Sequence, residues 1–297
     1  MKYYLGIDLG GTKVRVAKVN ENGDILQVEV EDSKAKESAE VIKDNIISLI
    51  DRFDLSDIEG IGIGVPGPVD SHKKVMTLAS NIPALLGYPL ADKLEKHFNK
   101  KVYINNDANV AGLSEALLGK GKGHEIVYYI THSTGIGGAL IIGGKLVNGK
   151  NGYAGEIGNI IIDENGEKVN HLNKGSVETE FSGTALSRKA TALYKEEVST
   201  PELMRRAKDN DPKALKLIDE MAYDFAKLLH MIAHIISPDC FIIGGGVSKE
   251  FDYYIPKVKK YLEGMLLEGI KDIPIYKAEL KEPGVVGAAL LVKSEND

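Results

Sequence analysis

Apolar side chains open the chain in a short run, Tyr3 to Ile7, and give way at once to the glycine turn Asp8-Leu9-Gly10-Gly11-Thr12. Lys13-Val14-Arg15-Val16 then alternates charged and apolar positions, the period-two pattern of a half-buried strand. Past the turn signal Asn20-Glu21-Asn22-Gly23 the alternation resumes from Ile25 to Val30, which predicts a three-stranded antiparallel meander. A helix-period segment follows from Ala39 to Phe53, then an apolar strand, Gly60 to Val65, that stops at Pro66-Gly67-Pro68. Leu90 to Phe98 suits a short helix, and Val102-Tyr103-Ile104 a strand ending at Asn105-Asn106-Asp107. Ala108 to Leu118 has the composition of a helix, with Asp107 placed to cap its start.

The opening pattern then returns. Tyr128 to Leu140, with Ser133-Thr134-Gly135-Ile136-Gly137-Gly138 at its centre, parallels Tyr3 to Thr12, and both copies run on into strands and an Asn-Gly turn. Two copies of strand, glycine loop, strand and turn predict a duplicated lobe. Beyond residue 183 the pattern turns helical. Asp211 caps, and Pro212 begins, a long core helix with apolar positions at Leu217, Met221, Phe225, Leu228, Ile232 and Ile236. Phe241-Ile242-Ile243 is a strand that ends in Gly244-Gly245-Gly246, and Gly284 to Val292 predicts a terminal helix.

At 297 residues the chain exceeds what one hydrophobic core usually serves, so two lobes are expected, residues 1–107 with 284–297 and residues 108–283. A net charge of -6 and the lack of any basic run of five residues argue against a nucleic-acid partner. No window reaches membrane-spanning length without charge, and no leader precedes the first acid, so a cytoplasmic protein with no membrane partner is expected. The single cysteine, Cys240, reads as a core thiol.

The glycine loops suggest the chemistry. Where glycines join two strands, backbone N–H groups can converge on a phosphate that no side chain blocks. A P-loop or dinucleotide fingerprint would instead place its glycines at a helix start. Gly10 and Gly11, the second loop at 134 to 138 and the triple glycine together predict a nucleotide site. Asp8 offers a hard oxygen ligand for Mg²⁺, directly or through water, and Thr12 and Lys13 can bind phosphate oxygens. Transfer to an alcohol needs a base near the acceptor hydroxyl, and Asp107, at a strand end, is the candidate.

Five segments carry a family resemblance: DLGGTK at 8 to 13, VPGPVD at 65 to 70, NNDANVAGLSE at 105 to 115, STGIGGALIIGGKLVNGKNGYAGEIGN at 133 to 159 and IIGGGVS at 242 to 248. In this order they resemble the ROK family of sugar kinases and sugar-responsive repressors. The resemblance implies an α/β, two-lobed actin-like ATPase (ribonuclease-H-like) fold with a duplicated βββαβα core, using ATP and Mg²⁺. It resembles the kinase branch, since repressors of the family carry a DNA-binding segment ahead of the first motif. By that resemblance Asp8, Gly10, Gly11, Thr12 and Lys13 form the first phosphate loop, and Thr134, Gly135, Gly137 and Gly138 the second. Gly244, Gly245 and Gly246 would lie against the adenosine. Asp107 would take the proton from the 6-hydroxyl of a hexose, most simply glucose, with Asn106 on neighbouring hydroxyls and Glu156 and Glu178 as further sugar ligands. Other sugars, a non-catalytic sensor, and a homodimer or homotetramer are also within what the family implies.

One departure stands out. Many family members have His where this chain has Asn159, and three cysteines that complete a structural zinc site. Aligned on Gly175 and Glu178, those cysteine positions hold Val169, His171 and Ser176. One neutral histidine is far from the closed four-ligand shell that structural zinc requires, so no structural zinc is expected, and Asn159 is left as a sugar-side residue.

Overall fold

The computed structural model describes residues 1–296 as an α/β protein with two five-stranded sheets. The first half of the chain gives β1 (Tyr3–Leu9), β2 (Lys13–Asn20), β3 (Ile25–Asp32), α1 (Ala39–Ile50), β4 (Ile58–Val65), β5 (Val69–Asp70), β6 (Val75–Met76), α2 (Leu90–Phe98), β7 (Val102–Asn106) and α3 (Asp107–Leu117). It continues with β8 (Ile126–His132), β9 (Ile136–Ile142), β10 (Lys145–Leu146), α4 (Val177–Phe181), α5 (Gly183–Tyr194), α6 (Thr200–Lys208) and α7 (Pro212–Ile236). The last elements are β11 (Cys240–Gly244), α8 (Phe251–Glu263), β12 (Ile275–Lys277) and α9 (Pro283–Asn296). The sheet orders are β3-β2-β1-β4-β7 and β10-β9-β8-β11-β12. Each reads third, second, first, fourth, fifth strand of its own set, so the repeat seen in the sequence is a repeat of topology.

The chain divides into two compact units, one of residues 1–125, 139–155 and the stretch from Glu279 on, the other of residues 126–138 and 156–278. The sequence reading ended the first lobe at Asp107, whereas here the first unit runs on through Glu125. The reason is packing: α3 lies along α9, which returns at the far end of the chain to cover the first sheet.

Within the first unit the meander forms as expected, with β1 antiparallel to β2 and β2 to β3. β4 then lies parallel to β1, and β7 parallel to β4. The glycines of β1 and β4 explain how closely α9 approaches. A Cβ at Gly6 would stand 2.0 Å from the Val285 carbonyl oxygen, and one at Gly62 1.8 Å from that of Ala288. On the other face Ile61, Ile63 and Val65 join Leu5, Ile7, Ile42 and Ile46 in a fully buried core under α1 and α2. Burial on both faces is why β4 is a near-continuous apolar run.

In the second unit α7 runs from the Asp211 cap, whose side chain accepts from Lys213 and Ala214 N–H, to Ser237 in a left-handed turn. Its Phe225 joins Phe181 and Tyr254 in an aromatic cage around His132, which is fully buried at the end of β8. The His132 Nε2 lies 2.8 Å from the Phe181 carbonyl oxygen, tying β8 to α4. Burial pushes this imidazole down to about 4, so it is neutral at ordinary pH. Cys240 is buried at the start of β11, its thiol pushed up to about 11 by burial and the adjacent Asp239. No helix among the described residues is long and apolar enough to cross a membrane.

Candidate active site

β1, β4 and β7 run parallel and end level with one another. Asp8 pairs with Gly64 across one ladder, and Gly64 with Asn105 across the next. Ligands of open parallel sheets bind beyond such carboxyl ends. Asn106 and Asp107 follow directly. The structure corrects the expected cap of α3: Asn106, with the extended backbone a cap requires, accepts from the N–H groups of Ala108 at 2.8 Å and Asn109 at 3.3 Å. Asp107 is the first residue inside the helix, and one of its oxygens, Oδ1, accepts from Ala108 N–H at 2.7 Å. Relieved of the capping duty, Asp107 has its other oxygen available for chemistry.

Asp107 keeps surface open to solvent, yet the protein crowded around it disfavours its charged form, and its pKa is pushed up to about 6. The Ala108 N–H pulls down, and the nearby charge of Asp8 pushes up. Asp8 itself is raised, first by burial and then by Glu282, against the pull of Arg15. Arg15 is held in an ion pair with Glu282, so its charge is shared. A Cβ at Gly284, at the start of α9, would come within 3.1 Å of Asp8 Oδ2, so this glycine leaves room beside the carboxylate. The first glycine loop is a tight turn closed by Gly10 N–H on the Lys13 carbonyl at 2.9 Å, with Gly11, Thr12 and Lys13 exposed.

In the second unit the loop between β8 and β9 is the meeting point. Ile136 N–H donates to Glu178 Oε2 at 2.9 Å. A Cβ at Gly135 would stand 2.5 Å from that same oxygen, and one at Gly158 3.3 Å from it. Glu178 is therefore lodged between two glycines and pinned by a backbone N–H. Glu156 precedes the short turn Ile157–Asn159 and Asn159 ends it, and both residues are exposed. Asn159 Oδ1 accepts from Asn173 N–H at 2.6 Å, and Asn173 Nδ2 donates to the Asn159 carbonyl at 3.0 Å. At the positions aligned with the family's cysteines, His171 is exposed and Ser176 is buried, its hydroxyl 3.2 Å from Thr179 Oγ1. Among the described residues no group of three or more His, Cys, Asp or Glu could hold a metal. His230 and His234 lie one turn apart on α7 with their rings 4.3 Å apart and tilted by 57°, and His234 Nδ1 is 2.8 Å from the His230 carbonyl oxygen.

Beside the same loop lies a cavity of about 960 Å³, lined by Ser133, Thr134, Gly246 and Val247 and by α5 and α6 residues, among them Gly183, Ser187, Arg188, Thr191, Ala192 and Met204. Gly183 N–H donates to the Ser133 carbonyl at 2.7 Å, docking the start of α5 on the loop. Of the triple glycine, Gly246 lines the cavity. Gly244 instead packs on the Tyr129 ring, and Gly245, at φ +88°, on the backbone of His132. A side chain at either would clash, so these two glycines serve packing behind the cavity wall. The α5 and α6 lining was not legible beforehand, because small and polar residues at helical spacing form no motif. The candidate residues thus gather in two groups, Asp8, Gly10 to Lys13, Asn106 and Asp107 in the first unit, and the second loop, Glu156, Asn159, Glu178 and the triple glycine in the second.

The ROK family model matches residues 4–295. The chain belongs to the ROK family. It is 31% identical to the glucokinase of Halalkalibacterium halodurans, over 100% of this chain and 96% of that one. This ROK chain is 30% identical to the N-acetyl-D-glucosamine kinase of Vibrio cholerae, over 97% and 99% of the two. A ROK family glucokinase from Streptomyces griseus in complex with glucose and AMPPNP superposes with a TM-score of 0.80 at 31% identity, covering 98% of this chain and 99% of that one. The fold is the actin-like ATPase fold of ROK kinases, and the chain is an ATP-dependent phosphotransferase of the hexokinase type.

Proposed function

We propose that this ROK kinase transfers the γ-phosphoryl group of ATP to the 6-hydroxyl of a hexose, with glucose the first candidate. The observation that carries the reading is Asp107: a carboxylate at the end of a parallel strand, with one oxygen uncommitted and a pKa of about 6, is a base suited to neutral pH. Asp107 accepts the hydroxyl proton as the oxygen attacks phosphorus. Asn106, with Oδ1 committed to the cap, offers its Nδ2 donors to a neighbouring hydroxyl. Glu156 and Glu178 accept from further hydroxyls, and Asn159 donates to one.

The 960 Å³ cavity takes the adenosine, and the two glycine loops take the phosphates, the first through Gly11, Thr12 and Lys13 on the turn that Gly10 holds closed, the second through Thr134, Gly135, Gly137 and Gly138. Mg²⁺ fits at Asp8: burial and a neighbouring carboxylate both raise this group, and Arg15 is shared with Glu282, which is an environment that a divalent cation relieves. When bound, the ion neutralises charge on the transferring phosphates. The two glucokinase relatives favour glucose, and the N-acetyl-D-glucosamine kinase makes an N-acetylhexosamine the next acceptor to try.

The test is turnover with ATP and Mg²⁺ across glucose, mannose, fructose, allose, N-acetylglucosamine, N-acetylmannosamine and a phosphorylated β-glucoside, in wild type and Asp107→Ala. The highest kcat/KM names the acceptor, and equal turnover in both proteins removes the role given to Asp107.

A further inference from the structure

The segment from Asn159 to Ser176 has ends that meet. Val177 N–H donates to the Ile160 carbonyl at 2.8 Å, and the N–H groups of Ile162 and Asp163 donate to the Gly175 carbonyl at 2.9 and 3.1 Å. Gly175 sits at φ +61°, and a Cβ there would stand 1.6 Å from the Asp163 carbonyl oxygen, so the two arms touch backbone to backbone. Beside this contact Asn173 donates two hydrogen bonds to Asn159, from its backbone N–H to the side-chain Oδ1 and from its Nδ2 to the backbone carbonyl. α4 begins immediately after the closed loop. Its Ser176 supplies no side-chain cap, so the start of this five-residue helix is fixed by the paired arms, and Glu178 is its second residue.

We infer that Asn173 is a positioning residue for the acceptor site, an inference that rests on the sugar-kinase reading. By donating two hydrogen bonds to Asn159, one from its backbone N–H and one from its side-chain amide, it closes the loop that registers α4, and with it the carboxylate of Glu178, against Gly135 and Gly158. The same clasp orients Asn159. With Oδ1 held by the Asn173 N–H, the amide has only its Nδ2 donors to give, so the substrate must present a lone pair there, from a hydroxyl, a ring oxygen or an N-acyl carbonyl.

Three variants separate these roles: Asn173→Ala deletes one of the two bonds, Asn159→Ala deletes the other together with the donors, and Asn159→Asp keeps the acceptor for Asn173 but removes the donors. Amide hydrogen exchange at 160–163 and 175–178 of the full chain reads the clasp, and steady-state kinetics reads its use. Asn173→Ala is expected to exchange faster in these amides and to raise the sugar KM roughly 5- to 30-fold while ATP KM stays within about twofold, the effect of weakened hydrogen bonding. Asn159→Ala should do both. Asn159→Asp should keep the wild-type exchange rates yet raise the sugar KM, the split that a merely structural role does not produce. Unchanged exchange in Asn173→Ala overturns the clasp, and faster exchange with an unchanged sugar KM overturns the positioning role. A wild type that phosphorylates no hexose at all overturns the functional reading and the inference with it.

Discussion

Glu178 Oε2 accepts from the backbone N–H of Ile136 at 2.9 Å, so the glycine loop after β8 and the helix carrying a sugar ligand candidate are one mechanical piece. Thr134 of that loop lines the cavity proposed for adenosine while Gly135 backs Glu178. A change at either position is therefore felt on both sides.

Gly135→Ala tests this directly. The new Cβ would fall 2.5 Å from Glu178 Oε2, which must then move off the Ile136 N–H. We expect kcat/KM to drop about 10- to 100-fold, the scale of a misplaced positioning group, with the melting temperature little changed. Activity within twofold of wild type would mean that Glu178 tolerates displacement.

Asp107 supplies a prediction with a sign. As a base it must be ionised, so kcat/KM falls as pH drops through about 6, the value to which burial pushes it. Stability runs the other way. A carboxylate whose folded pKa lies above its unfolded value stabilises the fold fully below the unfolded pKa, and that contribution is lost as pH rises through about 6. Asp107→Asn should therefore lose about 10²- to 10⁴-fold in turnover. The same variant should melt higher than wild type at pH 7 to 8, with the difference closing below about pH 4. A melting temperature lowered at pH 8 would contradict the desolvated carboxylate.

Glu115 is fully buried in α3, and its Oε1 accepts from Glu279 and Leu280 N–H at 2.9 and 2.8 Å, where the chain re-enters the first unit ahead of α9. Glu115→Ala strands both donors and opens a void, and the expected loss is about 2 to 4 kcal/mol in chemical denaturation. Glu115→Gln keeps the accepting oxygen and should lose less than half of that.

Ala192 lines the cavity assigned to adenosine. Ala192→Trp fills that space and is expected to raise the ATP KM at least about tenfold, since a drug-sized pocket buries most of its ligand. The sugar KM should stay near wild type. An unchanged ATP KM would move the nucleotide elsewhere.

The first sheet and the repeat were legible because strand periods and glycine turns are local signals, and Asp8 and Asp107 were legible because they stand where strands end. Asn106 took the cap from Asp107 for a reason that residue type alone does not reveal: both can cap, and only backbone conformation chooses. The division of labour within Gly244-Gly245-Gly246 depended on Tyr129 and His132, more than a hundred residues upstream in the sequence. The Asn159 and Asn173 clasp was hidden for the same reason, since a hydrogen bond across a loop leaves no periodicity. The cavity proposed for adenosine owes most of its wall to α5 and α6, whose sequences announce helices and nothing more.

The close seating of α9 on Gly6 and Gly62 has a consequence for biosynthesis. β1 to β4 are complete by Val65, but the helix that covers their second face begins at Pro283. At ribosomal speeds of about 5 to 20 residues per second, that face of the nascent sheet waits roughly 10 to 45 seconds for its cover. During that interval a chaperone has a surface to hold, and premature termination anywhere before α9 leaves an adhesive sheet in place of half an enzyme.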